Sequence, residues 1–165
     1  MKLKEKTGMK FKNSYDRTAL AATSAAALAI YAFALVTIIE NAPSYTTVTL
    51  CLAILLPLIF SPADYEITEK NLVIHRLIKN IKIDRSGISS VFPAENNFDR
   101  GRSILGSRGF FGWYGTFRSA SLGKYRLCGR KRENYVIVLS KSGNYVFTPD
   151  DKDAFVSALL NRGEN

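Results

Sequence analysis

Cysteine and histidine are scarce in this chain, and their scarcity excludes several kinds of site. The 165 residues include two cysteines, Cys51 and Cys128, and one histidine, His75. Such a set cannot supply the four ligands of a structural zinc site. Cys51 lies in an apolar run and Cys128 in a polar region, so both thiols are expected to be free and reduced. No nucleophile motif and no phosphate-binding glycine fingerprint occurs, so neither catalysis nor a cofactor is predicted.

Charge is absent from two stretches near the N-terminus. Residues 18–39 are 22 residues without a charge. As a helix they would extend about 33 Å, which matches the hydrocarbon core of a bilayer. Residues 45–61 form a shorter apolar run that contains Pro57, which membrane helices tolerate. Because a short turn joins the two runs, we expect an antiparallel transmembrane hairpin. The alternative is one span followed by a re-entrant or interfacial helix.

The distribution of lysine and arginine predicts the orientation of this hairpin. Residues 1–17 carry six Lys or Arg against two acids, whereas residues 64–165 carry 17 against 11. The turn carries only Glu40. Since positive charge collects on the cytoplasmic side of a membrane, both termini are expected in the cytoplasm. The expected domains are a basic segment (1–17), a transmembrane hairpin (18–61) and a cytoplasmic domain (62–165).

The residues after the apolar runs show the short alternating stretches that are typical of β-strands. Strand candidates fall within residues 63–78, 80–93, 124–129, 133–140 and 144–149. Glu69-Lys70-Asn71 and Lys141-Ser142-Gly143 are turn signals. Asp150 or Asp151 is placed to cap a final helix, which has Phe155 and Leu159 on one face. The pattern predicts short antiparallel strands followed by one amphipathic C-terminal helix.

Four motifs of this domain carry a family resemblance. They are D-Y-x-I-x-x-x-x-L at Asp64–Leu72, I-x-x-V at Ile88–Val91, the stretch GFFGWYGTF at 109–117, and Y-V-F-T-P-D-D-x-x-x-F at Tyr145–Phe155. Together they resemble small bacterial membrane-anchored proteins with a pleckstrin-homology (PH) domain, over residues 62–161. The resemblance implies a seven-stranded, partly open barrel with a helix plugging one end. It also implies a binding module rather than an enzyme, held at a bacterial inner membrane.

The first hairpin departs from the phosphoinositide signature of eukaryotic PH domains. Its basic residues stand beside Glu66 and Glu69, so specific binding of an inositol phosphate is not expected. The basic or titratable residues are Lys70, His75, Arg76 and Lys79.

Residues 100–132 contain nine basic residues and no acid. One interpretation is a surface that rests on an anionic leaflet, with aromatic side chains at the headgroup level. A second is structural, because glycines permit bulges and close backbone approach in a curved sheet. A third is a nucleic-acid site in which aromatic rings stack on bases. The residues expected to contact the membrane surface or a ligand are Arg108, Trp113, Tyr114, Arg118, Lys124, Arg126, Arg130, Lys131 and Arg132.

The sequence therefore predicts a membrane-anchored, non-enzymatic binding or scaffolding module with a basic aromatic segment on the anionic inner leaflet. The alternative function is docking of a protein partner, or self-assembly, through sheet edges or a concave face. Small residues in the first run, such as Ala22 and Ala26, would also let helices of two copies approach closely. Nucleic acid is disfavoured as a partner, because membrane orientation already accounts for much of the positive charge.

Overall fold

Two apolar helices precede all but one of the described strands. The computed structural model describes residues 8–40, 44–94 and 98–161. Helix α1 spans Arg17–Ile39 and helix α2 spans Ser44–Phe60. The Asp16 side chain caps α1 by accepting a hydrogen bond from the Thr18 backbone N–H at 3.0 Å. This bond satisfies one of the donors that the first turn of a helix leaves free.

Among the described residues, α1 alone is long and apolar enough to cross a membrane, with a mean hydropathy of 2.1. Only 6% of its apolar window is buried, unlike the core helix of a soluble protein. Its length, composition and position suit a membrane anchor or a signal sequence. Helix α2 is shorter, at 17 residues, so a second span stays a prediction. The predicted turn between the helices includes residues 41–43, which lie outside the described residues.

The described strands form two sheets, and neither closes on itself. The first is antiparallel and has the order β1-β2-β3-β4. Its strands are β1 (Met9–Lys12), β2 (Asp64–Ile67), β3 (Asn71–Ile74) and β4 (Ile81–Asp84). The second sheet has the order β5-β9-β10-β8-β7-β6. Its strands are β5 (Ile88–Pro93), β6 (Arg102–Gly109), β7 (Gly112–Ser119), β8 (Gly123–Gly129), β9 (Val136–Ser140) and β10 (Gly143–Phe147).

Two features of these sheets differ from the sequence expectations. The described residues form ten strands, not the seven that the family resemblance implied. One of the additional strands is β1, in the basic segment before α1, which pairs with β2 and places Phe11 opposite Tyr65. Strands β8 and β10 are parallel neighbours, whereas only antiparallel strands were expected. Alternation of polar and apolar residues cannot reveal either feature, because it reports burial and not the identity of the paired strand.

The core lies between the two sheets and the final helix, α3 (Lys152–Leu160). Tyr65 of the first sheet, Phe147 of the second and Phe155 of α3 are fully buried and pack ring against ring. The Asp151 side chain caps α3 by accepting from the Ala154 N–H at 2.9 Å. The predicted C-terminal amphipathic helix and its cap are therefore confirmed.

Candidate functional site

The glycine-aromatic stretch forms the hairpin between β6 and β7. Gly109 pairs with Gly112, so Phe110 and Phe111 make a two-residue turn. Gly109, Phe111 and Gly112 all have positive φ angles, of 119°, 53° and 114°. Positive φ is costly for a residue with a β-carbon, so glycine adopts it without that cost at 109 and 112, whereas Phe111 bears the cost itself.

A second glycine pair lets the two strands of this hairpin approach closely. Gly106 lies opposite Gly115. A β-carbon added to Gly115 would lie 2.2 Å from the Leu105 carbonyl oxygen, which is far inside van der Waals contact. These positions therefore support the structural interpretation of the stretch, in which glycine is needed for a close backbone approach.

The turn of this hairpin joins the β domain to both helices. The Phe111 N–H donates to the Thr23 hydroxyl of α1 at 3.1 Å, and its carbonyl accepts from the Ser61 hydroxyl at 2.7 Å. The Tyr114 hydroxyl donates to the Pro57 carbonyl of α2. That carbonyl is one of the four that the end of a helix leaves without a partner. The hairpin tip thus lies between the first turns of α1 and the end of α2.

Tyr114 was expected at the surface, and the structure corrects this expectation. Its side chain is only 4% exposed, because it fills the junction with α2. Burial raises the pKa of its phenol to about 12. Tyr114 therefore serves as a contact between the β domain and α2.

The pleat of the sheet divides the remaining candidate residues between two faces. Thr116 lies opposite Arg126, and Arg118 lies opposite Lys124. Directly opposed residues share a face, and successive residues along a strand alternate. We call the face with Arg118, Lys124 and Arg126 the inner face, because it also carries Tyr114, which contacts α2. Trp113 lies on the other face, the outer face.

A groove opens on the inner face, between the second sheet and α2. This α2 groove has a volume of about 990 Å³. Its apolar wall includes Leu56 and Phe60 of α2, Ile78 of the β3–β4 loop and Leu105 of β6. Arg76, Lys79 and Arg126 also line it, and none of its described lining residues is acidic. The groove therefore combines an apolar wall with a cationic one.

Exposed aliphatic side chains flank this groove, and sequence reasoning missed them. Ile78 is 73% exposed and Leu105 is 76% exposed. Their neighbours Leu77 and Ile104 are exposed as well. Two adjacent apolar residues in a loop or strand break the alternation that burial of one face requires. That break was the available signal in the sequence.

On the outer face, Trp113 and Arg108 are held by local contacts. The guanidinium carbons of Arg100 and Arg132 lie 5.2 and 4.5 Å from the Trp113 ring centroid. Arg108 lies over Phe117 at 5.9 Å and donates to the Gly101 carbonyl at 2.9 Å. Stacking of cations on aromatic faces stabilises such clusters. These two residues are therefore separated from the inner-face cations.

The basic cluster 130–132 fastens the segment before α1 to the domain. Arg130 lies over the Tyr15 ring at 4.2 Å. Arg132 approaches the Asp16 carboxylate at 3.7 Å and donates to the Thr18 hydroxyl at 3.0 Å. Burial would raise the pKa of Asp16, but hydrogen bonds from Thr18 and the charge of Arg132 outweigh it and lower the pKa.

Lys131 is the second correction among the expected surface residues. It is only 7% exposed, and its ammonium lies 2.9 Å from the Asp150 carboxylate. A buried lysine with a carboxylate partner is a structural ion pair and offers no free charge to a ligand.

Within the described residues, no group of three metal-ligating side chains occurs. The His75 ring lies 2.9 Å from the Glu66 carboxylate and 3.1 Å from the Asn80 side chain. Cys128 is fully buried, and burial raises the pKa of its thiol to about 11. Such a thiol stays protonated and is a poor nucleophile at neutral pH.

Comparison with known proteins identifies the family. The family model described as "Bacterial PH domain" matches residues 63–163, so the chain belongs to the bacterial PH domain family. PH domains are generally non-catalytic, and the family indicates a binding or scaffolding module. No curated protein and no solved structure matches the chain.

Proposed function

We propose that this protein is a non-enzymatic binding or scaffolding module anchored in the inner membrane of a bacterium. Helices α1 and α2 cross the membrane as a hairpin, with both termini in the cytoplasm. The chain divides into a basic segment (1–17), the hairpin (18–61) and a cytoplasmic PH-like domain (62–165). Cations of the domain contact the anionic inner leaflet.

The position of α2 relative to the inner-face cations carries this proposal. The last turn of α2 forms one wall of the α2 groove, and Arg126 lies on the opposite wall. Arg118 and Lys124 continue the same face along β7 and β8, and both are exposed. The face that carries these cations is therefore the face on which a membrane helix docks. The exposed aliphatic residues beside it suit the boundary between headgroups and acyl chains.

Each cation contributes a small free energy to the leaflet contact, and several cations together are sufficient to maintain it. A Lys or Arg close to an anionic leaflet contributes about 1 kcal/mol. Because the helices hold the domain at the bilayer, even weak contacts are occupied through a high effective concentration. Of the nine residues expected from the sequence, Arg118, Lys124 and Arg126 fit this role best. Arg108, Trp113, Arg130 and Arg132 contribute less, because each is engaged in contacts within the protein.

Lysine footprinting of the full chain tests the leaflet contact. The chain is reconstituted in nanodiscs of phosphatidylcholine, with or without phosphatidylglycerol, and amine modification is followed by mass spectrometry. We expect Lys124 to react several-fold more slowly in the anionic nanodiscs, and high salt should remove this protection. Lys70, an exposed lysine in the β2–β3 turn of the other sheet, is the control within the same molecule.

The variant Arg118→Glu should weaken the protection of Lys124, because the two residues are directly opposed. Equal reactivity of Lys124 in neutral and anionic nanodiscs would contradict the leaflet contact.

A specific observation favours a second candidate, docking of a protein partner or a second copy. Strand β6 is an edge of the six-stranded sheet and carries the exposed Ile104 and Leu105. An exposed apolar edge strand is a template for pairing with another chain. Charge reversal at Arg118 should spare such an assembly, whereas Leu105→Lys should disrupt it. Light scattering in neutral detergent distinguishes the two results.

A further inference from the structure

We propose that the α2 groove binds one anionic glycerophospholipid, with an acyl chain along α2 and the phosphate at Arg76 and Arg126. This inference rests on the proposed membrane anchoring, and it adds a stoichiometric ligand site to the leaflet contact. The leaflet contact involves exposed cations and many lipids, whereas the groove takes a single molecule.

The apolar wall of the groove suits a hydrocarbon chain. Leu56 and Phe60 project from the last two turns of α2, and both are exposed to the groove and solvent. Leu105 lies on the opposite side, where the sheet does not cover it. Apolar surface that an acyl chain removes from water at this wall stabilises the bound lipid. The volume of about 990 Å³ lies at the upper end of the range for small-molecule sites.

The cationic wall suits a phosphate. Arg76 and Arg126 line the same groove, together with Cys128 of β8. Lys79 adds a third cation from the β3–β4 loop. Arginine recognises phosphate oxygens with paired, charge-assisted hydrogen bonds. With no acid among the described lining residues, the groove is complementary to an anion.

A buried hydrogen-bond donor without a partner in the described part of the chain, the Arg76 Nε, indicates where an acceptor of the ligand would bind. The Arg76 Nε is buried and has no hydrogen-bond partner among the described residues. A buried charged donor without a partner is costly, so an acceptor is expected to complete it. Because one wall of the groove is the end of a membrane helix, the acceptor that reaches it most directly is a lipid headgroup.

Native mass spectrometry of the full chain tests this inference. The protein is delipidated in a neutral detergent and then titrated with dioleoyl phosphatidylglycerol or dioleoyl phosphatidylcholine. We expect one phosphatidylglycerol per chain and at least tenfold weaker binding of phosphatidylcholine. The double variant Arg76→Gln/Arg126→Gln should lower the affinity for phosphatidylglycerol at least tenfold.

Two further variants separate the effect of charge from the effect of space in the groove. Arg118→Gln/Lys124→Gln removes the same amount of charge outside the groove, and it should keep the bound lipid. Thr116→Trp adds bulk to the groove without removing a cation, and it should exclude the lipid. Circular dichroism and thermal unfolding establish that each variant is folded.

The results separate this inference from the leaflet contact. Suppose that wild-type protein shows no protection of Lys124 in anionic nanodiscs and still binds one phosphatidylglycerol in the mass spectrometer. That result would support the groove and contradict the leaflet contact. Wild-type protein that binds no phosphatidylglycerol would overturn the groove. Equal binding by wild type and Thr116→Trp, or complete displacement by millimolar inorganic phosphate, would also overturn it, because a lipid needs the apolar wall.

Discussion

The backbone N–H of Phe111 donates to the hydroxyl of Thr23 at 3.1 Å, and this bond ties the hairpin of the second sheet to α1. The same hydroxyl donates to the Ala19 carbonyl within its own helix at 2.7 Å. Thr23 therefore provides the acceptor for a backbone N–H in the turn between β6 and β7. The hairpin tip and the helix are connected by polar groups at a point where both are partly buried.

Replacing Thr23 with valine should weaken this connection. Thr23→Val keeps the shape of the side chain but leaves the Phe111 N–H without an acceptor, at a cost of about 1–3 kcal/mol. The measurement is the thermal unfolding of the full chain in neutral detergent. Thr49→Val is the matched control, because the Thr49 hydroxyl donates to the Tyr45 carbonyl of its own helix. Equal effects of the two changes would contradict a tertiary role for Thr23.

Removing the Tyr114 hydroxyl should weaken the contact between the end of α2 and the domain. Tyr114→Phe keeps the buried ring and loses the hydrogen bond to the Pro57 carbonyl. We expect a loss of about 1–2 kcal/mol in stability and faster proteolysis near Ser61. Tyr31→Phe is the control, since Tyr31 is exposed on α1. Unchanged proteolysis in Tyr114→Phe would count against this anchoring contact.

The backbones of β6 and β7 approach so closely at Gly115 that a β-carbon at this position should not be tolerated. Gly115 and Gly143 have nearly the same φ, 127° and 130°, but only Gly115 has backbone atoms in the way. Gly115→Ala should therefore destabilise the domain by several kcal/mol, since the Leu105 carbonyl would have to move. Gly143→Ala carries only the conformational cost of its φ. Thermal unfolding of both variants measures the difference, and a similar loss in each would refute the steric explanation.

The strand β1 should be part of the folding unit. The Phe11 ring packs edge-on against Phe155 with centroids 5.2 Å apart. Phe11→Ala should therefore cost about 2 kcal/mol or more, and removal of residues 1–12 should cost more. Met9→Ala is the control, because Met9 is exposed on the same strand. If the domain unfolds at the same temperature without residues 1–12, then β1 does not contribute to its stability.

The Asp16 carboxylate should make the start of α1 sensitive to acid. Its pKa is lowered in the folded protein, so its contribution is complete above its ordinary pKa. That contribution is lost as the pH falls through the lowered folded value, below about 4. Asp16→Asn keeps a capping side chain but not the charge. The stability difference between wild type and Asp16→Asn, measured by thermal unfolding, should shrink from pH 7 to pH 3. A difference independent of pH would argue against this charge effect.

Much of the fold follows from local patterns. The uncharged run 18–39 predicted α1, since a helix satisfies the backbone groups of a long apolar segment within the segment itself. Turn residues predicted the hairpins β2–β3 and β9–β10, because asparagine in the first and serine and glycine in the second favour turns. The pair Asp150-Asp151 predicted the start of α3, and the structure shows Asp151 as its cap. Each of these signals acts over a few residues and is visible in the sequence.

The candidate site was only partly visible. The sequence showed a basic segment around GFFGWYGTF, but not that the pleat separates Arg118 from Trp113. It also could not show that Tyr114 and Lys131 are buried, because their partners Pro57 and Asp150 are distant in the chain or lie on another element. Ile78 and Leu105 line the groove, and Leu77 and Ile104 are exposed beside them; all four were missed.

By itself, the sequence determined the composition of each segment: an apolar N-terminal region, a β-rich domain and a cationic stretch without acids. These properties depend on hydrophobicity and turn chemistry within short windows. Only the tertiary structure decided that β1 joins the first sheet, that β8 and β10 run parallel, and that α2 forms one wall of a groove lined by Arg76 and Arg126. Those relationships depend on which distant surfaces bury each other, and residue spacing along the chain carries no record of that choice.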